Sequence, residues 1–407
     1  MNASYWLTNV RLETGYLYEN DIVCGTKTDI HHVKIEDGKI AEIVSSNTPL
    51  NTTLETYDAL NMLMLPSFKE MHIHIDKTYY GGPWKAVKPS TSIFDKFQEE
   101  RELLPKLLPT AKDRAEKMLD LLLGFGSTHV RTHCNIDPVV GLKNLEATMQ
   151  ALDSFSGKMS HEVVAFPQHG LLRPGVEKLI REAMQQGATL VGGVDPHTVD
   201  QDIDKSLYTI LDIAVEANAG VDIHIHDRDH LGMHTMNRLA DFTEQAGLHG
   251  KVTVSHAFGF AGVSTGKVVE LAERFAELGI SITSTVPIGK LIMPIPLLQE
   301  KNVKVELGTD SITDHWSPFG TGDNLEKAGR LAELYGYVDE LSLSQSLGVI
   351  TGGKTPLNKD GKRVWPNVGD EATVNLVRAT CSAEAVARRA KREAVFFKGN
   401  LVSGSLK

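Results

Sequence analysis

The residues that could do chemistry cluster in seven short stretches. His72, His74 and Asp76 alternate with Ile73 and Ile75 in HIHIDK (72–77). On a β-strand, side chains two apart share a face, so one face gathers imidazole and carboxylate while the other is apolar. His133 follows in THVRTHCNID (128–137), Gln168 in EVVAFPQ (162–168), and Asp195 in TLVGGVDP (189–196), with His197 just beyond. His224, His226 and Asp227 end GVDIHIHD (220–227), His256 lies in KVTVSHAF (251–258), and Asp310 ends VKVELGTD (303–310). Each polar group sits at the C-terminal end of an apolar run. Three imidazoles and one carboxylate (His72, His74, His224 and Asp310) suit one divalent ion, zinc or iron, with room for a water. Such an ion brings the pKa of a bound water near 7. His226 shares the inward face with His224, and that choice stays open. Cys134 points away from His133 and is expected to be buried and inert.

These stretches need elements to position them. Between them run helical patterns such as TAKDRAEKMLDLLLGFG (110–126), GVEKLIREAMQQG (175–187), SLYTILDIAVEANAG (206–220) and VVELAERFAELG (268–279). The last three end in glycine, a helix-stop signal. With ISITST (280–285), eight strands alternate with helices, which reads as a closed parallel (β/α)8 barrel whose active site forms at the strand C-termini. The ends of the chain are strand-rich. EDGK (36–39) and Lys398-Gly399-Asn400 read as turns, so residues 1–63 and 366–407 are expected to form one small β-sandwich beside a catalytic barrel over 64–365.

Composition narrows the function classes. The formal net charge is -10, and the short basic cluster Arg388, Arg389, Lys391, Arg392 reads as a solvated helix face, so no nucleic-acid polymer is expected as partner. There is no membrane-length apolar run and no signal-like N-terminus. Three scattered cysteines among 407 residues suit a reducing cytoplasm. His31, His32 and His161 are read as surface histidines without a role.

The blocks HIHIDK, VRTHCNID (130–137), VAFPQHG (164–170), LVGGVDP (190–196), VDIHIHD (221–227), VTVSHAFGF (252–260) and GTDSITDHWSPFGTGD (308–323), in this order, resemble the amidohydrolase superfamily and its cytosine-deaminase-like branch. The resemblance implies a distorted (β/α)8 TIM barrel with a small β-sandwich from both termini, one zinc or iron per subunit, and hydrolytic loss of ammonia or an amine from a small nitrogen heterocycle. Homo-oligomers are common in the branch. Carried over by residue, His72, His74, His224 and Asp310 match the metal ligands, and Asp310 doubles as proton acceptor. His256 holds the attacking oxygen, Gln168 pairs with an amide edge of the ring, and Trp316 lines the pocket. His133 is assigned to substrate contact. Asp227 stands where cytosine deaminases carry a proton-shuttling glutamate, and Ser311 where they carry a second aspartate. HIHD, GGVDP and DHWSPFGTGD are nearer to the N-isopropylammelide amidohydrolases, which act on s-triazines. A cyclic-amide amidohydrolase would need a lysine at the end of the fourth strand, and none is there. A non-catalytic scaffold would have lost ligands.

Overall fold

The fold comes from a computed structural model that describes residues 4–289 and 291–406. Eight strands follow in order around one parallel sheet: β1 Phe68–Ile73, β2 Ser127–Asn135, β3 Ser160–Phe166, β4 Leu190–Val194, β5 Gly220–His224, β6 Val252–Ser255, β7 Ser281–Ser284 and β8 Val305–Leu307. Each overlaps one of the eight expected runs. The strands stop short of the polar tails at 74–76, 225–227, 256–258 and 308–310, which leave the ladder to become the barrel mouth. Closure between β8 and β1 is one bridge, Ile73 to Asp310. There the Asp310 N–H reaches the His72 carbonyl at 2.6 Å, and the His74 N–H reaches the Asp310 carbonyl at 3.2 Å. Gly308 permits this approach, because a Cβ on it would lie 2.4 Å from the His72 Cβ. The bridge that closes the barrel therefore also draws Asp310 up to the two histidines.

Helices pack outside the sheet by their apolar stripes. Thr265–Leu278 buries Val268, Leu271, Ala272 and Phe275, and stops at Gly279 in the left-handed conformation. Full burial of each large stripe residue stabilises the fold by about 1.5–3 kcal/mol. One helix end differs from the expectation: Ile203–Glu216 stops before Gly220, and Gly220 begins β5. A side chain at Gly220 would meet the Lys251 carbonyl oxygen at 2.7 Å, so this glycine serves strand packing rather than a helix cap.

The two chain ends share a second sheet. Ser4–Glu19 pairs with Ile22–Glu36, which pairs with Lys39–Ser45; on the other side Leu63–Pro66 pairs antiparallel with Val374–Val377, followed by Arg392–Phe397 and Asn400–Gly404. The expected turns form. Asp37–Gly38 and Lys398–Gly399 are two-residue hairpin loops with positive φ at both positions. Leu63–Pro66 belongs to this sheet and crosses the expected boundary at 63/64. Leu7, Leu12, Ile35, Leu376 and Phe396 are among the residues of its apolar core. His32, expected at the surface, is instead buried there, its Nδ1 accepting from the Asn9 N–H at 3.2 Å. Among the described residues no helix is long and apolar enough to cross a membrane.

Candidate metal centre and active site

The polar strand tails converge. The His72 ring centroid lies 4.1 Å from that of His133, 4.6 Å from His224, 5.0 Å from His256 and 5.7 Å from His74. Asp310 Oδ1 stands 3.5 Å from His72 Nε2 and 3.4 Å from His74 Nε2, and its Oδ2 stands 3.9 Å from His256 Nε2. The imidazoles are almost fully buried, whereas the Asp310 side chain keeps 31% exposure and so opens toward the mouth. Asp195, His256 and Asp310 take positive φ just past β4, β6 and β8. Left-handed backbone at a non-glycine residue costs on the order of 1–2 kcal/mol and is tolerated where a site must aim a side chain.

The cluster has the hydrogen-bond pattern of a ligand set. Ser255 Oγ donates to Asp222 Oδ1 at 2.6 Å, so its free lone pair accepts from His72 Nδ1 at 2.8 Å. His74 Nδ1 faces the His133 carbonyl at 3.2 Å, which only accepts. Both rings therefore carry their proton on Nδ1 and turn a bare Nε2 inward. The Nε2 of His72 and both ring nitrogens of His224, His133 and His256 are buried without a hydrogen-bond partner. Burial, then the neighbouring His72 ring, lowers the proton affinity of His224 and His133, and burial does the same for His256. Neutral imidazole is the form that binds metal. Burial pushes the Asp310 carboxyl up, but its contacts with His72 and His74 outweigh this and hold it well below the usual carboxylate range. Two overlapping triads, His72–His74–Asp310 and His72–His133–His224, each keep their ligand atoms within 4.8 Å of one another. This donor set fits a divalent ion.

The structure separates His224 from His226. His224 stacks on Phe166 at 4.3 Å inside the cluster, while His226 directs Nδ1 to Asp195 Oδ2 at 2.8 Å. Asp227 receives the Thr198 hydroxyl on Oδ1 at 2.5 Å and leaves Oδ2 without a partner; burial raises its pKa. His197 is exposed and His133 wholly buried. Cys134 is buried, and burial pushes its thiol well above the ordinary value. Trp316 borders two openings. One, of about 640 Å³, also touches His226 and the segment Val87–Ile93; the other, of about 660 Å³, also touches Asp310. Gln168 accepts from Lys77 Nζ at 2.8 Å. Lys77 also binds Glu100, on the helix Ile93–Leu107, at 3.0 Å. Glu100 was not legible as a site residue, although Phe97, Glu100 and Leu104 are spaced as one buried stripe.

The amidohydrolase family model (Amidohydro_3) matches residues 101–402. The chain belongs to the amidohydrolase family. It is 49% identical over 405 residues to the uncharacterized protein YahJ of Escherichia coli K12, covering 99% of this chain and 88% of that one. The crystal structure of N-isopropylammelide isopropylaminohydrolase from Burkholderia multivorans superposes with a TM-score of 0.86 at 27% identity, over 98% of both chains. That of 5-methylcytosine deaminase from Klebsiella pneumoniae shares the fold, with a TM-score of 0.81 at 23% identity over 98% of this chain and 97% of the other. Within the amidohydrolases, this chain falls in the cytosine-deaminase-like branch, as its sequence blocks imply.

Proposed function

We propose that this amidohydrolase is a metal-dependent enzyme that removes ammonia or an amine from a nitrogen heterocycle by hydrolysis. The observation that carries the reading is the pair of triads that share His72, His72–His74–Asp310 and His72–His133–His224, with buried ring nitrogens on His72 and His224 that no protein group satisfies. His72, His74, His224 and Asp310 would hold one zinc or iron ion. The ion, when bound, supplies a water acidified to near neutrality. Asp310, deprotonated at neutral pH, accepts the proton of that water as it attacks the ring carbon. Asp227 delivers a proton to the ring nitrogen from Oδ2, the oxygen that Thr198 leaves free. His256, whose Nε2 lies 3.9 Å from Asp310 Oδ2, would hold the attacking oxygen and stabilise the tetrahedral intermediate. The amine leaves with a proton. Gln168 holds the ring edge and Trp316 forms a wall of the opening. His133, assigned from the sequence to substrate contact, is wholly buried against His72 and His224 and would reach the substrate only from within the ligand cluster.

An N-alkylamino s-triazine is included among the candidate substrates because of the 27% identity, over nearly the whole of both chains, to an N-isopropylammelide isopropylaminohydrolase. The test is a panel of aminopyrimidines, pterins, purines and s-triazines, assayed for released ammonia or alkylamine. At least one is expected to turn over, and Asp310→Ala should lower that rate by about 10³-fold or more. Near-normal turnover by this variant would remove Asp310 from the chemistry.

A further inference from the structure

Beside the metal centre lies a second buried polar cluster, built around Glu100. Its carboxylate is fully buried, yet it collects donors from four separate segments. Lys77 Nζ, His315 Nε2 and Trp316 Nε1 each reach Oε1 at 3.0 Å. His169 Nε2 reaches Oε2 at 2.8 Å and Asn135 Nδ2 at 3.4 Å. An ionised carboxylate only accepts, so every one of these groups points an N–H inward. The cluster ties the helix Ile93–Leu107 to the tails of β1, β2, β3 and β8 at once.

The consequence runs through Lys77. An ammonium has three protons and no acceptor. Those of Lys77 go to Glu100 Oε1, to Gln168 Oε1 at 2.8 Å and to Asn135 Oδ1 at 3.4 Å. None remains for a ligand. The Gln168 atom facing Lys77 must be the carbonyl oxygen, because Lys77 can only donate. The Gln168 amide nitrogen therefore faces the other way, donates to no described protein group and is not sealed from solvent.

We propose that Glu100 is a positioning residue for ring recognition: through Lys77 it fixes the Gln168 carboxamide with its oxygen inward and its N–H toward the substrate. The site then selects heterocycles that present a carbonyl oxygen at that edge over analogues that present an amino group there. The substrate half of this inference rests on the hydrolase reading above; the positioning half does not. A buried donor left without an acceptor loses binding strongly, which is why such sites discriminate well.

Removing Glu100 alone strands the Lys77 charge, so the test uses the double variant Glu100→Leu/Lys77→Met, which removes both charges. In metal-loaded protein labelled with nitrogen-15 glutamine, the Gln168 side-chain amide should give a sharp pair of resonances in wild type. In the double variant, which still leaves the N–H groups of Asn135, His169, His315 and Trp316 without their acceptor and so melts lower, that pair should broaden or shift in protein whose circular dichroism shows the fold retained. An unchanged Gln168 signal would overturn the positioning role. Calorimetry with cytosine and with 2,4-diaminopyrimidine, in which an amino group replaces the ring carbonyl, reads the selection. Wild type should favour cytosine by about 100-fold, and the double variant by less than about 10-fold. An equal preference in both proteins would overturn the link to specificity. A wild type that binds neither ring would overturn the pyrimidine selection and leave the wider hydrolase reading to the substrate panel, with the Gln168 signal still deciding the positioning role.

Discussion

The barrel mouth and the terminal sheet each bury a carboxylate, and they treat it in opposite ways. At the mouth, Glu100 gathers N–H groups from Lys77, Asn135, His169, His315 and Trp316. Burial pushes its pKa up, but Lys77 and the histidines outweigh this and hold it well below the usual range. In Ser4–Glu19, Glu13 receives only the Ser382 N–H on Oε1, and Oε2 has no partner. Burial, reinforced by Glu340, lifts it to about 7 although the Ser382 contact pulls it down. Desolvation acts on both; the number of converging donors decides which stays charged. The histidines divide likewise. His72, His133, His224 and His256 at the mouth hold ring nitrogens without partners, whereas buried His32 uses its Nδ1 on a neighbouring N–H.

Substitutions can break this contrast. The largest stability effect is expected from Glu100→Leu, which leaves Lys77 charged and buried. A loss of about 3–5 kcal/mol in denaturant unfolding is expected. A loss below about 1 kcal/mol would mean that the cluster is not a charged network. Glu13→Gln should act with the opposite pH sense. The folded value of Glu13 lies above the unfolded value, so its contribution is present below the ordinary carboxylate pKa and fades as pH rises through about 7. Between pH 5 and 8, wild type should lose on the order of 3 kcal/mol relative to Glu13→Gln, read from paired unfolding curves. Parallel curves would mean that Glu13 is ionised throughout. The smallest effect sharpens the contrast at the metal centre. Ser255→Ala breaks the Asp222–Ser255–His72 chain that sets the His72 proton. It should weaken zinc binding by about 10–100-fold with the fold intact, measured by chelator competition. Unchanged affinity would remove Ser255 from the tautomer argument.

Much of this was legible in the sequence, for identifiable reasons. The eight barrel strands follow from apolar runs with helices between them, and the polar tails mark the mouth. His72 and His74 are legible as a pair because strand alternation leaves no other common face for them. The two positive-φ turns at 37–38 and 398–399 carry Asp-Gly and Lys-Gly signals. Other features carry no local signal. Ser255 and Asp222 look like ordinary strand residues until the barrel brings them beside His72. Glu100 sits in FQEERELL, whose charges mask a buried stripe of Phe97, Glu100 and Leu104. The outer half of Ile22–Glu36 has few buried positions, so it lacks the alternation that marks the barrel strands.

The most direct measurement is metal content by mass spectrometry, on protein loaded with zinc or iron and freed of excess. One equivalent per chain is predicted for wild type, falling to near zero in His72→Ala/His74→Ala with the fold retained, and amine release should disappear on chelation and return with the ion. Two ions per chain, or full amine release from metal-free protein, would contradict the account.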